Sequence, residues 1–304
     1  MTRQMILAVA QQGPISRALA TANRLVSRLR ALAKMAEQRG VRTSSVFPEL
    51  ALTTFFPRWI SPDEAELDSF YPKCPARWSV PLFRRPPNSG IGLQSGLREL
   101  REGGRRRRFN TSLQHVKSGG VRQKRRKVSH PGHKEPEAYR PHQHLEKRYF
   151  FPGDLGFRGL PAVPASMAMF ICNDRRWPEL RRVMGLGDVE LQRSGYNTPA
   201  GDPPVGRRDH LRLQHADLSM QAGPYQNSRW TSDAAKMGME EGCDRRGPEC
   251  IVAPRGVKGA RSDSLEKLRI PSSSDLDCKK YWRSTRFNFK AHREPDHYRL
   301  IAEL

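Results

Sequence analysis

Met169-Phe170-Ile171-Cys172-Asn173-Asp174-Arg175-Arg176-Trp177-Pro178-Glu179 decides how this sequence is read. A short apolar run ends on a cysteine, two arginines follow, and Pro178 stands where a helix would begin. The pattern predicts a strand that hands a thiol to a turn and then to a helix. Amides and dipole at a helix start favour the thiolate over the inert buried thiol, which makes Cys172 a candidate nucleophile. Buried cysteines at strand ends are also common packing residues, and this stretch alone leaves both readings open.

Two further segments weigh on that choice. Val46-Phe47-Pro48-Glu49-Leu50 puts a carboxylate just beyond another apolar run. Arg126-Lys127-Val128 opens a segment that closes with Pro131-Gly132-His133-Lys134-Glu135. Glu49, Lys127 and Cys172, in that order and in those contexts, resemble the Glu-Lys-Cys triad of the nitrilase (carbon–nitrogen hydrolase) superfamily. The blocks FPELALTTFFPRW (47–59), RRFNTS (107–112), PGHKE (131–135), QHLEKRYF (143–150), GYNTP (195–199), GMEEGC (238–243), CIVAP (250–254) and FNFKAHREP (287–295) narrow the match. They are similar to its N-carbamoyl-D-amino acid amidohydrolase branch, and they run from one end of the chain to the other.

The resemblance implies an α/β fold, a four-layer α-β-β-α sandwich, as one domain over residues 1–304. It implies that residues 285–304 form a tail packing on a neighbouring subunit of a homodimer or homotetramer. It assigns Cys172 as nucleophile, Glu49 as general base, Lys127 as oxyanion donor and Glu146 as a second carboxylate orienting Lys127. The other reading of Glu146 is a surface ion pair with Lys147 or Arg148. Asn173, Asn197, Thr198, His130 and His144 match substrate-pocket positions, although each histidine could equally make a structural hydrogen bond. Arg175 and Arg176, three and four residues past the nucleophile, suit a carboxylate, because a planar guanidinium binds one bidentately. No cofactor is implied. His130, His133, His142 and His144 invite a metal reading, but His-x-His without an acidic or cysteine partner set is a weak signal, and no metal is expected. Expected substrates are N-carbamoyl-D-amino acids. An aliphatic amidase, a nitrilase, a β-ureidopropionase, or an inactive basic chain that adsorbs polyanions are the alternatives.

Composition bounds these readings. The 304 residues can bury a substantial core, yet only 37% are hydrophobic and the net charge is +23. Cys74, Cys172, Cys243, Cys250 and Cys278 form no closely spaced framework, which suggests reduced thiols in a cytoplasm. No apolar stretch approaches the roughly 20 residues a bilayer span needs, so no membrane partner is expected. Residues 1–36 hold six Lys/Arg and no acid, as a targeting peptide would. Leu19, Ala22, Leu25, Val26, Leu29, Leu32, Ala33 and Ala36 instead predict one face of a helix within 17–38, with Gly40 as its stop.

Eleven Lys/Arg against one acid lie between Arg101 and Lys127. In isolation that run reads as a polyanion patch. Because it merges into RRFNTS and ends on Lys127, the expectation is a solvated face with salt-sensitive adsorption, not specific nucleic-acid binding. Apolar runs at 5–9, 46–50, 167–171 and 250–253 predict strands; 63–70 and 178–184 predict helices. Residues 41–46, 113–116, 121–126, 187–194 and 256–275 are polar where such a fold places strands, and burying unpaired arginines there is costly.

Overall fold

The computed structural model describes residues 3–16, 22–38, 44–61, 92–101, 107–115, 121–140, 143–159, 161, 165–200, 211–247, 249–262, 268–269 and 274–303. The predicted helix at 63–70, together with Leu19, Gly40, Cys74 and His142, lies outside them.

Two mixed sheets form the centre. In the six-stranded sheet, β2 (Leu7–Ala10), β3 (Ser44–Val46) and β4 (Gly92–Arg101) run parallel. The antiparallel strands β5 (Arg107–His115) and β6 (Val121–Arg126) extend it on one side, and β14 (Leu268–Arg269) pairs with β2 on the other. In the five-stranded sheet, β7 (Met167–Ile171), β8 (Leu191–Tyr196) and β9 (Trp230–Ala235) run parallel, followed by antiparallel β12 (Glu249–Val252) and β13 (Lys258–Ser262). Short pairs, β1 (Gln4–Met5) with β15 (Ser274–Asp275) and β10 (Met237–Glu240) with β11 (Cys243–Arg246), complete the strands.

The period-2 alternation of a strand decides which side chain meets which layer. Leu7 and Val9 join Met5 and Val46 in a cluster with Met167, Leu191, Ala234 and Ile251 of the other sheet. Ala8 and Ala10, pointing the other way, pack with Val26, Leu29, Leu32, Ala33 and Ala36 of α1 (Ala22–Gln38). The amphipathic face expected from the sequence is therefore the buried face of α1. Across the five-stranded sheet, Ala168 and Phe170 pack on Leu180 and Met184 of α3 (Pro178–Leu186). Tyr196, Ala235 and Val252 pack on Met220 of α4 (Leu211–Asn227). These clusters stack helix, sheet, sheet and helix in that order.

Residues 113–115, 121–126 and 191–194 of the polar segments form strands all the same, and many of their side chains are buried. Asn110, Thr111, Ser112, Gln114 and His115 of β5, Arg125 and Arg126 of β6, and Gln192, Arg193 and Ser194 of β8 lie below a tenth exposed. Arg193 shares a strand face with Leu191 and Gly195, so it points between the sheets. Other buried guanidiniums close helix ends: Arg229 donates to the carbonyls of Met184, Val189 and Gly185 at the C-terminus of α3. That use satisfies orphan carbonyls and places a cation at the negative end of the dipole.

Beyond residue 278, α5 (Lys279–Ser284), α6 (Phe289–His292) and α7 (Arg299–Glu303) carry no buried side chain. Phe287, Phe289 and Tyr298 of this segment line a cavity of about 720 Å³ with Arg182 and Val183 of α3. Leu300 and Ile301 stand about two-thirds exposed. No helix among the described residues is long and apolar enough to cross a membrane.

Candidate active site

Three strand ends deliver the principal groups. Glu49 follows β3, Lys127 follows β6, and Cys172 follows β7. Glu49 and Lys127 are 0% exposed and Cys172 is 7% exposed. Chain crossing at this point is tight. A Cβ on Gly195 of β8 would meet the Glu49 amide nitrogen and the Phe47 carbonyl oxygen at 2.6 Å each, so only glycine lets the two sheets approach here.

Lys127 Nζ donates to Glu49 Oε1 at 2.8 Å and to Glu146 Oε2 at 2.5 Å. Glu146 sits in the single turn α2 (Glu146–Tyr149) but points inward, 0% exposed. That excludes the surface pairing with Lys147 or Arg148 weighed from the sequence. His130 Nδ1 lies 3.3 Å from Glu146 Oε2, and its ring stacks on Phe150. Single oxygens of Glu49 and Glu146 and the Cys172 sulfur all lie within 4.8 Å of one another. A set of two carboxylates and a thiolate could hold a metal ion, but Lys127 Nζ already occupies the cation position between the carboxylates. Among the described residues, no histidine joins that grouping.

Electrostatics follow from burial. Dehydration alone would lower the Lys127 ammonium, but the negative charges of Glu146 and Glu49, and of Cys172 whenever it is ionised, outweigh it and raise it well above its usual range. Burial pushes the Cys172 thiol up, Glu49 adds to that, and Lys127 opposes it. This corrects the expectation from the sequence. The turn after β7 is a short 3-10 helix, Cys172–Arg176, and α3 begins only at Pro178, so the sulfur does not stand at the start of α3. The resting group is a thiol beside a base rather than a pre-formed thiolate. Cys172 itself has φ 47°, a strained value for a non-glycine residue and one that clusters at functional sites.

The pocket residues divide. Asn197 Nδ2 donates to the Glu49 carbonyl at 2.8 Å and stands 3.4 Å from Glu49 Oε2. Arg175 is buried, donating to the Cys172 carbonyl at 2.7 Å and to Thr198 Oγ1 at 3.2 Å, with its guanidinium 4.0 Å from the centre of the Tyr196 ring. Arg176, one residue on, is exposed. Asn173 is half-buried and, with Val128, Ser129, His130 and Trp177, lines a cavity of about 440 Å³ beside the centre. His144 packs behind it, its Nε2 3.3 Å from Arg58 Nη1. Gly132, with φ 82°, abuts the His144 backbone so closely that a Cβ would collide with the carbonyl.

Two residues join the site that the sequence did not single out. Asn110 Nδ2 donates to Glu49 Oε1 at 2.7 Å, and the Asn110 carbonyl accepts from the Lys127 amide at 2.8 Å. Asp174 Oδ1 accepts from the Val128 and Ser129 amides at 3.2 and 2.8 Å, and its Oδ2 accepts from the Ile171 amide at 3.2 Å. Asp174 thus fastens the Lys127 segment to the Cys172 turn. Both lie in blocks already quoted, RRFNTS and MFICNDRRWPE, and an uncapped buried Asn or Asp was the available signal.

The sequence profile of the carbon-nitrogen hydrolase family matches residues 6–270. The chain belongs to that family. Among curated relatives, an N-carbamoylputrescine amidase of Arabidopsis thaliana is 29% identical over 171 residues, 52% of this chain and 54% of its own length. A nitrilase of Pyrococcus abyssi is 26% identical over 157 residues, 51% of this chain and 55% of its own length. The chain spans about half the length of the curated relatives it matches. A carbon-nitrogen hydrolase from Helicobacter pylori G27 has the same fold over 99% of both chains, with TM-score 0.77 at 20% identity. An amidase from Nesterenkonia sp. AN1 superposes at TM-score 0.71 and 17% identity over 98% of both chains. In that structure the active site cysteine carries the acetamide moiety of fluoroacetamide. Carbon–nitrogen hydrolase relationship and α/β fold agree with the resemblance read from the sequence, while the relatives are carbamoylputrescine amidases, nitrilases and amidases rather than the D-carbamoylase branch.

Proposed function

We propose that this carbon–nitrogen hydrolase cleaves N-carbamoyl-D-amino acids to the D-amino acid, ammonia and carbon dioxide. Support comes chiefly from one observation: a buried thiol and two carboxylates lie within 4.8 Å of one another, and a buried lysine is hydrogen-bonded to both carboxylates. The ureido-cleaving relatives point to the same bond class.

Cys172 Sγ attacks the ureido carbonyl carbon as its proton passes to Glu49. The C=O electron pair moves onto oxygen, where Lys127 Nζ and a backbone amide at residue 172 or 173 stabilise the oxyanion. Collapse breaks a C–N bond, and the departing nitrogen takes the proton held by Glu49. Glu49 then deprotonates water, which attacks the thiocarbamate carbon; the C–S bond breaks, and the resulting carbamate loses carbon dioxide to give the second amine. Glu146 holds Lys127 in place throughout, with His130 fixing Glu146. Asn197 and Thr198 orient Glu49 and Arg175. Asn173 faces the substrate cavity. Of the two arginines, Arg176 is the one turned outward to meet the substrate carboxylate, with Arg175 positioning the nucleophile turn.

The alternative is a neutral-amide hydrolase with the same triad, favoured by the amidase fold neighbours. Kinetics on an N-carbamoyl-D-amino acid, its methyl ester and butyramide separate the two. The carboxylate should be worth about ten- to hundredfold in kcat/KM, the scale of a hydrogen bond to a charged group. Arg176→Gln should remove that preference and leave the ester rate unchanged. Equal rates on acid and ester, or butyramide as the better substrate, would leave the amidase reading. The exposed C-terminal segment is proposed to dock on a second subunit, which sedimentation velocity of the full chain tests.

A further inference from the structure

Resting on the reading above, we propose that Arg58 and Arg245 form a second anion site beside the reaction centre, which selects N-carbamoyl amino acids with an acidic side chain. Both guanidiniums are buried, at 1% and 0% exposure, and both lie over the Phe55 ring, at 5.4 and 5.2 Å from its centroid. Nε and Nη2 of Arg58, and Nε and Nη1 of Arg245, have no hydrogen-bond partner among the described residues. A buried donor left unsatisfied is costly, and a buried guanidinium stays cationic at neutral pH.

The nearby carboxylates are already committed. Glu240 faces Arg245 Nη2 at 2.7 Å and Lys236 Nζ at 3.4 Å, and it accepts from the Ile15 and Phe55 amides. Glu146 is taken by Lys127 and His130. Two buried cations, Lys236 and Arg245, therefore share Glu240, and among the described residues Arg58 has no carboxylate in ion-pair contact. Arg58 Nη1 lies 3.3 Å from His144 Nε2, and burial, together with the charges of Arg58, Arg212, Lys127 and Arg245, holds this imidazole well below its usual range. His144 is neutral there and serves Arg58 as a partner without cancelling its charge.

The site is built on the segments that carry the centre. The Arg58 carbonyl accepts from the Gln143 amide and the Pro57 carbonyl from Leu145, three and one residues before Glu146. The Arg245 backbone bridges Pro199, next to Thr198. A carboxylate a few bonds beyond the reacting ureido group would supply the missing acceptors bidentately.

N-carbamoyl-D-glutamate and N-carbamoyl-D-glutamine, alike in size and different in charge, test this on the full chain. Wild type should favour the glutamate form in kcat/KM by about tenfold or more. Arg245→Leu should erase that preference while keeping the glutamine rate, with a melting curve confirming the fold; Arg245→Gln serves should the leucine variant unfold. Equal use of both substrates by wild type, or a preference that persists in the variants, overturns the site. Calorimetric binding of the same two compounds to Cys172→Ala measures the preference without turnover. A retained glutamate preference in binding, with no hydrolysis of any N-carbamoyl compound by wild type, would sink the hydrolase reading and keep the anion site; equal affinities would remove the site itself.

Discussion

Lys127 Nζ stands 2.8 Å from Glu49 Oε1, and neither side chain has any contact with solvent. A buried ion pair is dear to assemble and dearer to break, because removing one partner strands the other charge in a dry interior. Here Glu146 shares the ammonium at 2.5 Å, so the three groups act as a unit.

Glu49→Gln and Lys127→Met should each remove most of the rate. The double variant should lose little more than either single one, as expected for residues that serve one step. Lys127→Arg should not restore activity, since a planar fork cannot place one donor between both carboxylates. Single-turnover rates of the three variants check this; losses that multiply like those of distant sites would separate the residues into independent roles.

Cys172→Ala should abolish hydrolysis with an unchanged far-UV spectrum. Replacing Cys243, Cys250 or Cys278 with serine or alanine should leave the rate within about twofold, since none of them joins the group formed by Glu49, Glu146 and Lys127. Burial pushes the Cys250 thiol well above its usual range, and Cys278 is raised as well. Turnover by Cys172→Ala would end the covalent mechanism.

Arg193→Leu should raise the melting temperature. The guanidinium is fully buried between the sheets, and dehydration lowers it to about 9. Replacing a buried charge by a well-packed apolar side chain is often neutral or stabilising by about 1–4 kcal/mol. The folded value lies below the unfolded one, so the penalty is fully present below pH 9 and is relieved as pH rises from 9 towards the unfolded value. The gain in melting temperature should therefore be larger at pH 7.5 than at pH 10. An unchanged gap across that range would assign the effect to packing.

Glu190 should matter to acid stability. It accepts from Arg3 Nη2 at 2.8 Å and pairs with Lys279 Nζ at 2.6 Å, tying both ends of the chain to the start of β8. Burial would raise this carboxyl, but Arg3, Lys279 and the Ser166 amide hold it down at about 2. A depressed folded value gives stability that is present above the ordinary carboxylate range and lost as pH falls through about 2. Glu190→Gln should cost about 1 kcal/mol at pH 7, a modest figure because Arg3 is largely exposed, and almost nothing at pH 2. Urea melts at the two pH values measure it.

Much of the frame was legible in one dimension. Leu7 and Val9 alternate with Ala8 and Ala10, and Leu29, Leu32 and Ala36 recur at helical spacing, so strand, helix and buried face follow from local periodicity. Pro178 marks the start of α3 for a reason internal to its own ring. Glu49, Lys127 and Cys172 are grouped through their resemblance to the family triad, and the fold brings the three side chains together.

Other features depend on neighbours far away in sequence. No periodicity signals that β8, with Gln192, Arg193 and Ser194, is a fully buried strand; the flanking strands β7 and β9 force it inside. Adjacent Arg175 and Arg176 look alike in sequence, yet the fold buries one against Cys172 and Thr198 and leaves the other exposed. The protonation state of Cys172 escapes a sequence reading for the same reason. Sequence determined that this residue follows a strand, because backbone preference is local. Only the tertiary structure decided that dehydration and Glu49 outweigh any helix end, because solvation and charge act through space and not along the chain.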